Sequence, residues 1–107
     1  MFSIKNGNIT VSQGETPTLI VTPTGGYSFD QGDTVKLTVK KKVTDAEAVI
    51  SKTVTSFNYG KAAIEFTTTD TNIDAGNYVY DIQVMLSTGL IAIPHAGTFK
   101  VEASITR

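Results

Sequence analysis

The acidic segment from residue 70 to residue 81 has the spacing of a calcium-binding loop. Four oxygen-bearing residues stand at positions 1, 3, 5 and 12 of that spacing: Asp70, Asn72, Asp74 and Asp81. Calcium prefers several oxygen ligands from one tight loop. Position 6 is Ala75, however, where the loop needs glycine for its sharp turn, and a strand pattern follows where a helix should begin. The sequence therefore favours an acidic turn over a metal site, and these four residues are its metal-ligand candidates.

Catalytic chemistry would need a nucleophile or a carboxylate held beside the one histidine, His95. Its neighbours in Ile93–Gly97 predict only a bend between two strands. Glu65 and Asp81 could form a carboxylate pair, but both take the outward phase of predicted strands, and a solvated carboxylate is a poor general acid. Neither a Gly-x-Ser-x-Gly elbow nor a phosphate-binding glycine loop occurs. We therefore expect no catalytic residue, no cofactor and no enzymatic activity.

Alternation of apolar and polar residues dominates the chain, and this period of two predicts strands. In the segment 34–40, Val35, Leu37 and Val39 fall on one face, while threonine and lysine fall on the other. The same pattern predicts strands at 18–22, 48–54, 62–66, 78–86, 90–93 and 98–103, with a first short strand at 8–11 or 2–5. The side chains expected to face the interior include Leu37, Ile64, Tyr80 and Ile82.

About seven short strands separated by turn signals are typical of an immunoglobulin-like β-sandwich. We therefore expect an all-β fold of about seven antiparallel strands, in a single domain that covers residues 1–107. One helical turn is expected at 44–48 or 69–73, and an edge or a bulge is expected around Pro94.

Two tyrosines are expected to play structural roles in the strand 78–86. The polar loop before Tyr78 marks the place of a tyrosine corner, in which the hydroxyl bonds to upstream backbone. Tyr80 stands where such domains carry a cysteine, so we expect aromatic packing to pin the core at this point.

Composition and charge narrow the classes of partner. The 107 residues carry a net charge of −1, whereas nucleic-acid binding depends on neutralising many phosphates. The basic cluster Lys40–Lys42 fits the solvated end of a strand. Neither a signal peptide nor an apolar run of membrane-spanning length is visible, and the absence of cysteine fits a reducing compartment. We expect a soluble, intracellular protein that binds neither nucleic acid nor membrane.

Four stretches, in order along the chain, carry a resemblance to a known group: Gln13–Leu19, Asp33–Lys41, Asp70–Thr71 with Ala75–Gln83, and Gly97–Val101 with Ile105–Arg107. They resemble the small immunoglobulin-like domains of phage and prophage tail and baseplate proteins, and the Tyr-x-Tyr-Asp-x-Gln strand is the most specific part. The chain is similar in particular to the N-terminal domain of baseplate upper proteins, which docks a receptor-binding fibre onto the tail. The resemblance implies no catalytic residues. The resemblance does not extend to that fibre, and it leaves open whether the protein is a stand-alone tail, neck or head component.

The resemblance implies a virion structural component of a tail, baseplate or neck that acts through protein–protein contacts. Its partners would be other virion or tail proteins and further copies of the chain. It would be located in the virion, and in the host cytoplasm during assembly. A carbohydrate- or ligand-binding sandwich is the alternative, although the chain has no tryptophan for a sugar platform.

An edge strand and the loop around Tyr27 and Phe29 form the contact surface that the sequence suggests. Two aromatic side chains in one loop are unfavourable to leave in water, so a partner could cover them. The alternative is that both rings cap one end of the core.

Overall fold

The computed structural model of the protein describes residues 2–5, 7–23 and 27–105. In this part of the chain, eight strands and one short helix follow one another: β1 (Ser3–Lys5), β2 (Asn8–Ser12), β3 (Thr18–Val21), β4 (Thr34–Lys40), β5 (Ile50–Val54), β6 (Ala62–Glu65), α1 (Thr68–Thr71), β7 (Gly76–Met85) and β8 (Ile91–Glu102). The protein is therefore all-β, as the alternation predicts. No helix within the described ranges has the length and apolar character that crossing a membrane requires.

Side chains alternate between core and solvent along the longer strands. In β4, Val35, Leu37 and Val39 are fully buried, while the lysine and threonine residues between them are not. A branched side chain that leaves water completely contributes roughly 1.5–3 kcal/mol, so a register slip of one residue in β4 would be strongly unfavourable. The four side chains expected to face the interior are all buried: Leu37, Ile64, Tyr80 and Ile82.

The strands form two sheets. Sheet A has six strands in the order β1-β2-β8-β7-β4-β5, and sheet B consists of β3 and β6. Neighbouring strands run antiparallel except β2 and β8, which run parallel and place Ile9 opposite Phe99. The expectation of about seven antiparallel strands is therefore corrected in two respects. The described chain has eight strands. Its larger sheet is mixed because β2, near the beginning of the chain, and β8, near its end, are neighbours that run in the same direction.

β8 unites two strands that the sequence predicts separately, at 90–93 and 98–103. It runs beside β7 from Ile91 to Val101, but the register shifts between the pairs Ile82–His95 and Val84–Ala92. The shift lies at Pro94, where the sequence predicts an edge or a bulge. A β-bulge adds a residue to one strand without ending it, so the interrupted sequence pattern does not interrupt the strand.

One hydrophobic core lies between the two sheets, with Phe99 deeply buried in it. The Phe99 ring centroid lies 6.0 Å from that of Phe66 and 6.5 Å from that of Tyr80, the latter in an edge-to-face arrangement. Tyr80 is thus held by aromatic packing, as expected. Its hydroxyl also donates a hydrogen bond to the backbone carbonyl of Gly7, and burial raises the pKa of Tyr80.

The short helix α1 begins with a capping box. The Thr67 hydroxyl accepts a hydrogen bond from the Asp70 N–H, and the Asp70 carboxylate accepts one from the Thr67 N–H. Lys52 donates to the same carboxylate, with 2.8 Å between Nζ and Oδ2. Burial opposes the charge on Asp70, but these donors outweigh it and hold its pKa below the ordinary value. The helix overlaps the second expected position, 69–73, while 44–48 is not helical.

Tyr78 forms the expected tyrosine corner at the start of β7. Its hydroxyl donates a hydrogen bond of 2.7 Å to the carbonyl oxygen of Asp74, four residues upstream, and the side chain is buried. The Lys41 ammonium group lies 5.0 Å from the centroid of the ring, so one lysine of the basic cluster covers it. Burial, followed by the charge on Asp74, raises the pKa of Tyr78.

Replacing Tyr78 with phenylalanine is expected to lower the free energy of unfolding by about 1 kcal/mol. The ring still fills its place in the core, but the hydrogen bond to Asp74 is lost, and one such bond contributes roughly 0.5–1.5 kcal/mol. Urea unfolding at pH 7 measures the change. Tyr59→Phe is the matched control, because the Tyr59 side chain is almost fully exposed. Equal losses in the two variants would contradict the role of the corner.

Candidate protein-contact surface

Three large apolar side chains project into solvent near the hairpin between β7 and β8. Met85 is 42% exposed, and Ile91 and Ile93 are 55% and 56% exposed. We call these three residues the hairpin patch. Single exposed apolar side chains are normal on a protein surface, whereas a large contiguous group of them is typical of a contact or binding surface.

The turn of the hairpin fixes the position of the patch. The Leu86 N–H donates to the Leu90 carbonyl oxygen, and the Gly89 N–H donates to the Leu86 carbonyl oxygen, both at 2.8 Å. Gly89 adopts a φ of +95°, a conformation that favours glycine because it has no Cβ. The exposed side chain of Leu90 lies at the tip of this turn. The hairpin is therefore a defined structural element rather than a loose loop.

The register of the hairpin places the patch on the outer face of sheet A. Met85 lies opposite Ile91, and Val84 lies opposite Ala92. Since Val84 is buried in the core and neighbouring side chains alternate between faces, Met85 and Ile91 point outward. Ile93 lines the cleft on that outer face. The three side chains thus share one face and are close neighbours on it.

A cleft of about 460 Å³ continues from Ile93 across the outer face of sheet A. Its polar lining comes from β4 and β7 and includes Lys36, Thr38, Lys40, Asp81 and Gln83. Among the described residues that line it, the aromatic one is Tyr80, which is buried. The cleft therefore offers charges of both signs but no exposed ring on which a sugar could stack.

Two smaller clefts, of about 370 and 280 Å³, lie along β3, and His95 lines both of them. The described lining residues include no carboxylate that could orient the imidazole. Ile82 and Val84 form part of the lining and are nevertheless buried. Ala92, which lies opposite Val84 and lines the larger of these two clefts, is exposed.

The two aromatic residues that the sequence suggests as a contact surface pack edge to face, with 6.0 Å between their ring centroids, but they differ in exposure. Phe29 is only 6% exposed, and its ring centroid lies 5.2 Å from that of Phe57. The expected contact surface is therefore wrong for Phe29, which caps one end of the core because aromatic neighbours enclose it. Tyr27 remains partly exposed, and its hydroxyl donates a 2.6 Å hydrogen bond to Asp33. This bond raises the pKa of Tyr27.

The four metal-ligand candidates each occupy a different structural position. The Asp70 carboxylate caps α1 and pairs with Lys52, and Asn72 ends that helix. The Asp74 carbonyl accepts the tyrosine-corner bond, while Asp81 lies on the outer face of sheet A. Within residues 2–5, 7–23 and 27–105, no group of three or more His, Cys, Asp and Glu residues is placed to hold a metal ion. Glu65, the other member of the possible carboxylate pair, is exposed.

Sequence reasoning missed the hairpin patch, although one signal for it exists. Residues 90–93 are four consecutive apolar residues, whereas a strand with one solvated face normally alternates. Apolar residues on both faces of a strand normally mean that both faces are covered. Here the described chain leaves the outer face open, so the run places Ile91 and Ile93 in solvent.

Comparison with known proteins finds no family model, no curated protein and no solved structure that matches the chain. The role of the contact surface is therefore inferred from its residues and their geometry.

Proposed function

We propose that the protein is a structural component of a phage or prophage virion, in a tail, baseplate or neck, and that it acts through protein–protein contacts rather than catalysis. The hairpin patch is the observation that carries this proposal. The sequence supports the proposal through the resemblance, whose most specific part is Tyr78–Gln83. This segment belongs to β7, which forms one arm of the hairpin. The protein would join other virion proteins and copies of itself in the host cytoplasm and remain in the particle.

Magnitudes indicate what kind of contact the patch can make. Full burial of a side chain of this size contributes roughly 1.5–3 kcal/mol, so three half-exposed ones contribute about 3 kcal/mol, and a matching partner surface contributes about as much again. Association itself costs an estimated 4–15 kcal/mol or more. A single contact through the patch is therefore weak. Repeated contacts in a symmetric assembly overcome that weakness, because each further contact is effectively intramolecular.

We further propose that the fold is an immunoglobulin-like sandwich. The order β8-β7-β4 corresponds to the G, F and C strands of that fold, and the pair β3-β6 corresponds to B and E. The tyrosine corner supports this assignment, since it lies at the start of β7, where the F strand begins. Sandwiches of this kind suit assembly because their faces and edges can meet neighbours while the core stays closed.

Mass spectrometry of purified particles tests the proposed function. We expect the protein in particles from cells that carry its gene, at a constant ratio to the other virion proteins. Ile91→Lys is expected to reduce its incorporation severalfold, because the lysine would lie in the contact unpaired. Ile20→Lys is the matched control, since Ile20 is 53% exposed on β3 of the other sheet. Absence of the wild-type protein from particles would contradict the proposal.

A further inference from the structure

We propose that the hairpin patch is the contact of a two-fold homodimer, in which the outer faces of two β7–β8 hairpins pack against each other. The inference rests on the proposed function, since it names the partner at the same surface. In the dimer, Met85, Ile91 and Ile93 of one copy meet the same three side chains of the other.

Charge around the patch favours an identical partner. Residues 82–94 contain no Asp, Glu, Lys, Arg or His, so two copies meet at the hairpin without like-charge repulsion. The adjoining cleft carries both signs of charge, from Lys36 and Lys40 on one strand and from Asp81 on the next. A face that carries both signs can complement itself under a two-fold rotation, as an isologous contact requires.

The side chains of the patch are of the kind that homodimer contacts bury. Homodimer interfaces are more apolar than contacts between separately folded partners. In contacts between separately folded partners, the few residues that contribute most of the binding energy are enriched in tryptophan, tyrosine and arginine. The patch consists instead of two isoleucines and one methionine. Ile91 and Ile93 lie on β8 and Met85 lies on β7. The row of side chains that these residues form in one copy can therefore pack beside the same row in the second copy.

The geometry points to packing through the face of the hairpin rather than through its edge. On the side of β8 that faces β2, the pairing covers residues 99–102, and the backbone of Gly7 lies close to Gly97. Among the described residues, the edge of segment 91–95 is therefore the competing site for a second β8. Pro94 removes a backbone donor from this edge, and the register shift beside it disturbs a continuous ladder. Both features are means by which proteins prevent edge pairing. Two faces, in contrast, can pack as aligned sheets.

The available area sets the expected affinity. A stable interface buries about 800 Å² on each partner, and three half-exposed side chains supply only a part of it. The polar cleft beside Ile93 and the exposed side chain of Val43 at that cleft lie next to the patch and add to the area that a second copy can cover. We therefore expect a concentration-dependent dimer, half-formed between about 10 µM and about 1 mM.

Sedimentation velocity of the full chain over that concentration range tests the inference. The mass of the wild-type protein is expected to rise from 11.4 kDa toward twice that value. Ile91→Lys and Ile93→Lys are each expected to weaken dimerisation tenfold or more, because the dimer would bury the ammonium group twice. Ile20→Lys should dimerise as the wild type does. A wild-type protein that stays monomeric up to about 1 mM, or a dimer that Ile91→Lys leaves unchanged, would overturn the inference.

Cross-linking supplies a second measurement that does not depend on the lysine variants. The chain has no cysteine, so Ile93→Cys and Ile20→Cys each introduce a single thiol. With a short bis-maleimide reagent, Ile93→Cys is expected to give covalent dimers and Ile20→Cys is not. Equal yields from both variants would count against the patch as the contact.

The two proposals fail in distinguishable ways. A protein that is monomeric in solution but enters particles through the patch overturns the homodimer and leaves the virion function standing. A protein that dimerises through the patch but is absent from particles overturns the virion function alone.

Discussion

Replacement of Phe99 with alanine is expected to lower the free energy of unfolding by about 3–5 kcal/mol, the range for a large aromatic side chain removed from a packed core. Phe99 is almost completely buried. It lies opposite Ile9 on one side and Tyr78 on the other, so it joins the parallel and the antiparallel neighbours of β8. Its ring also meets that of Phe66, which follows β6 of the other sheet. Loss of the ring therefore weakens both sheets at once.

Guanidinium unfolding of the wild type and of Phe99→Ala measures this effect. Small domains are stable by only about 5–15 kcal/mol, so the variant would lose a large share of the total and part of it would be unfolded at moderate temperature. Phe57→Ala is the matched control, because Phe57 is only partly buried and packs at the edge of the core. We expect a smaller loss for Phe57→Ala. The central role of Phe99 would be refuted by losses of the same size.

Local patterns in the sequence predict those features of the fold that are themselves local. Val35, Leu37 and Val39 alternate with polar residues, and this alternation determines which face of β4 is buried, whichever strands lie beside it. The tyrosine corner is equally local, since the hydroxyl of Tyr78 reaches a carbonyl only four residues upstream. In both cases the residues that interact are close in the chain, so the pattern contains the whole interaction.

Long-range pairing could not be predicted in this way. The parallel pairing of β2 with β8 joins Ile9 to Phe99, and nothing in either segment specifies the direction of its neighbour. The burial of Phe29 is a similar case, because it depends on Phe57, which approaches from the segment after β5. The hairpin patch escaped prediction for the opposite reason. Ile91 and Ile93 resemble core residues by type, and only the arrangement of the sheets leaves them exposed.

Asp33 connects three segments of the molecule through one carboxylate. Its Oδ2 atom accepts hydrogen bonds from the Tyr27 hydroxyl at 2.6 Å and from the Asp30 N–H at 2.9 Å. Its Oδ1 atom accepts one from the Ser87 N–H at 2.8 Å. The hydrogen bond from Tyr27, followed by those from Asp30 and Ser87, holds the pKa of Asp33 below the ordinary value of 3.8. Because Ser87 belongs to the β7–β8 turn, this carboxylate also supports the hairpin that carries the patch.

Asp33→Asn is therefore expected to lower the melting temperature at pH 7, and the deficit is expected to shrink in acid. An amide can replace only one of the two accepting oxygens, and its NH₂ group would face donors instead of accepting from them. A carboxylate whose pKa is lowered by folding stabilises the native state above its unfolded pKa, and that contribution is lost as the pH falls through the folded pKa. The wild type should thus lose its advantage below about pH 3.8, as measured by thermal unfolding between pH 7 and pH 2.5. Asp30→Asn, the same change in an exposed neighbour, is the control. If the melting temperature of Asp33→Asn stays below that of the wild type by the same amount across this pH range, the carboxylate charge is not what holds the three segments together.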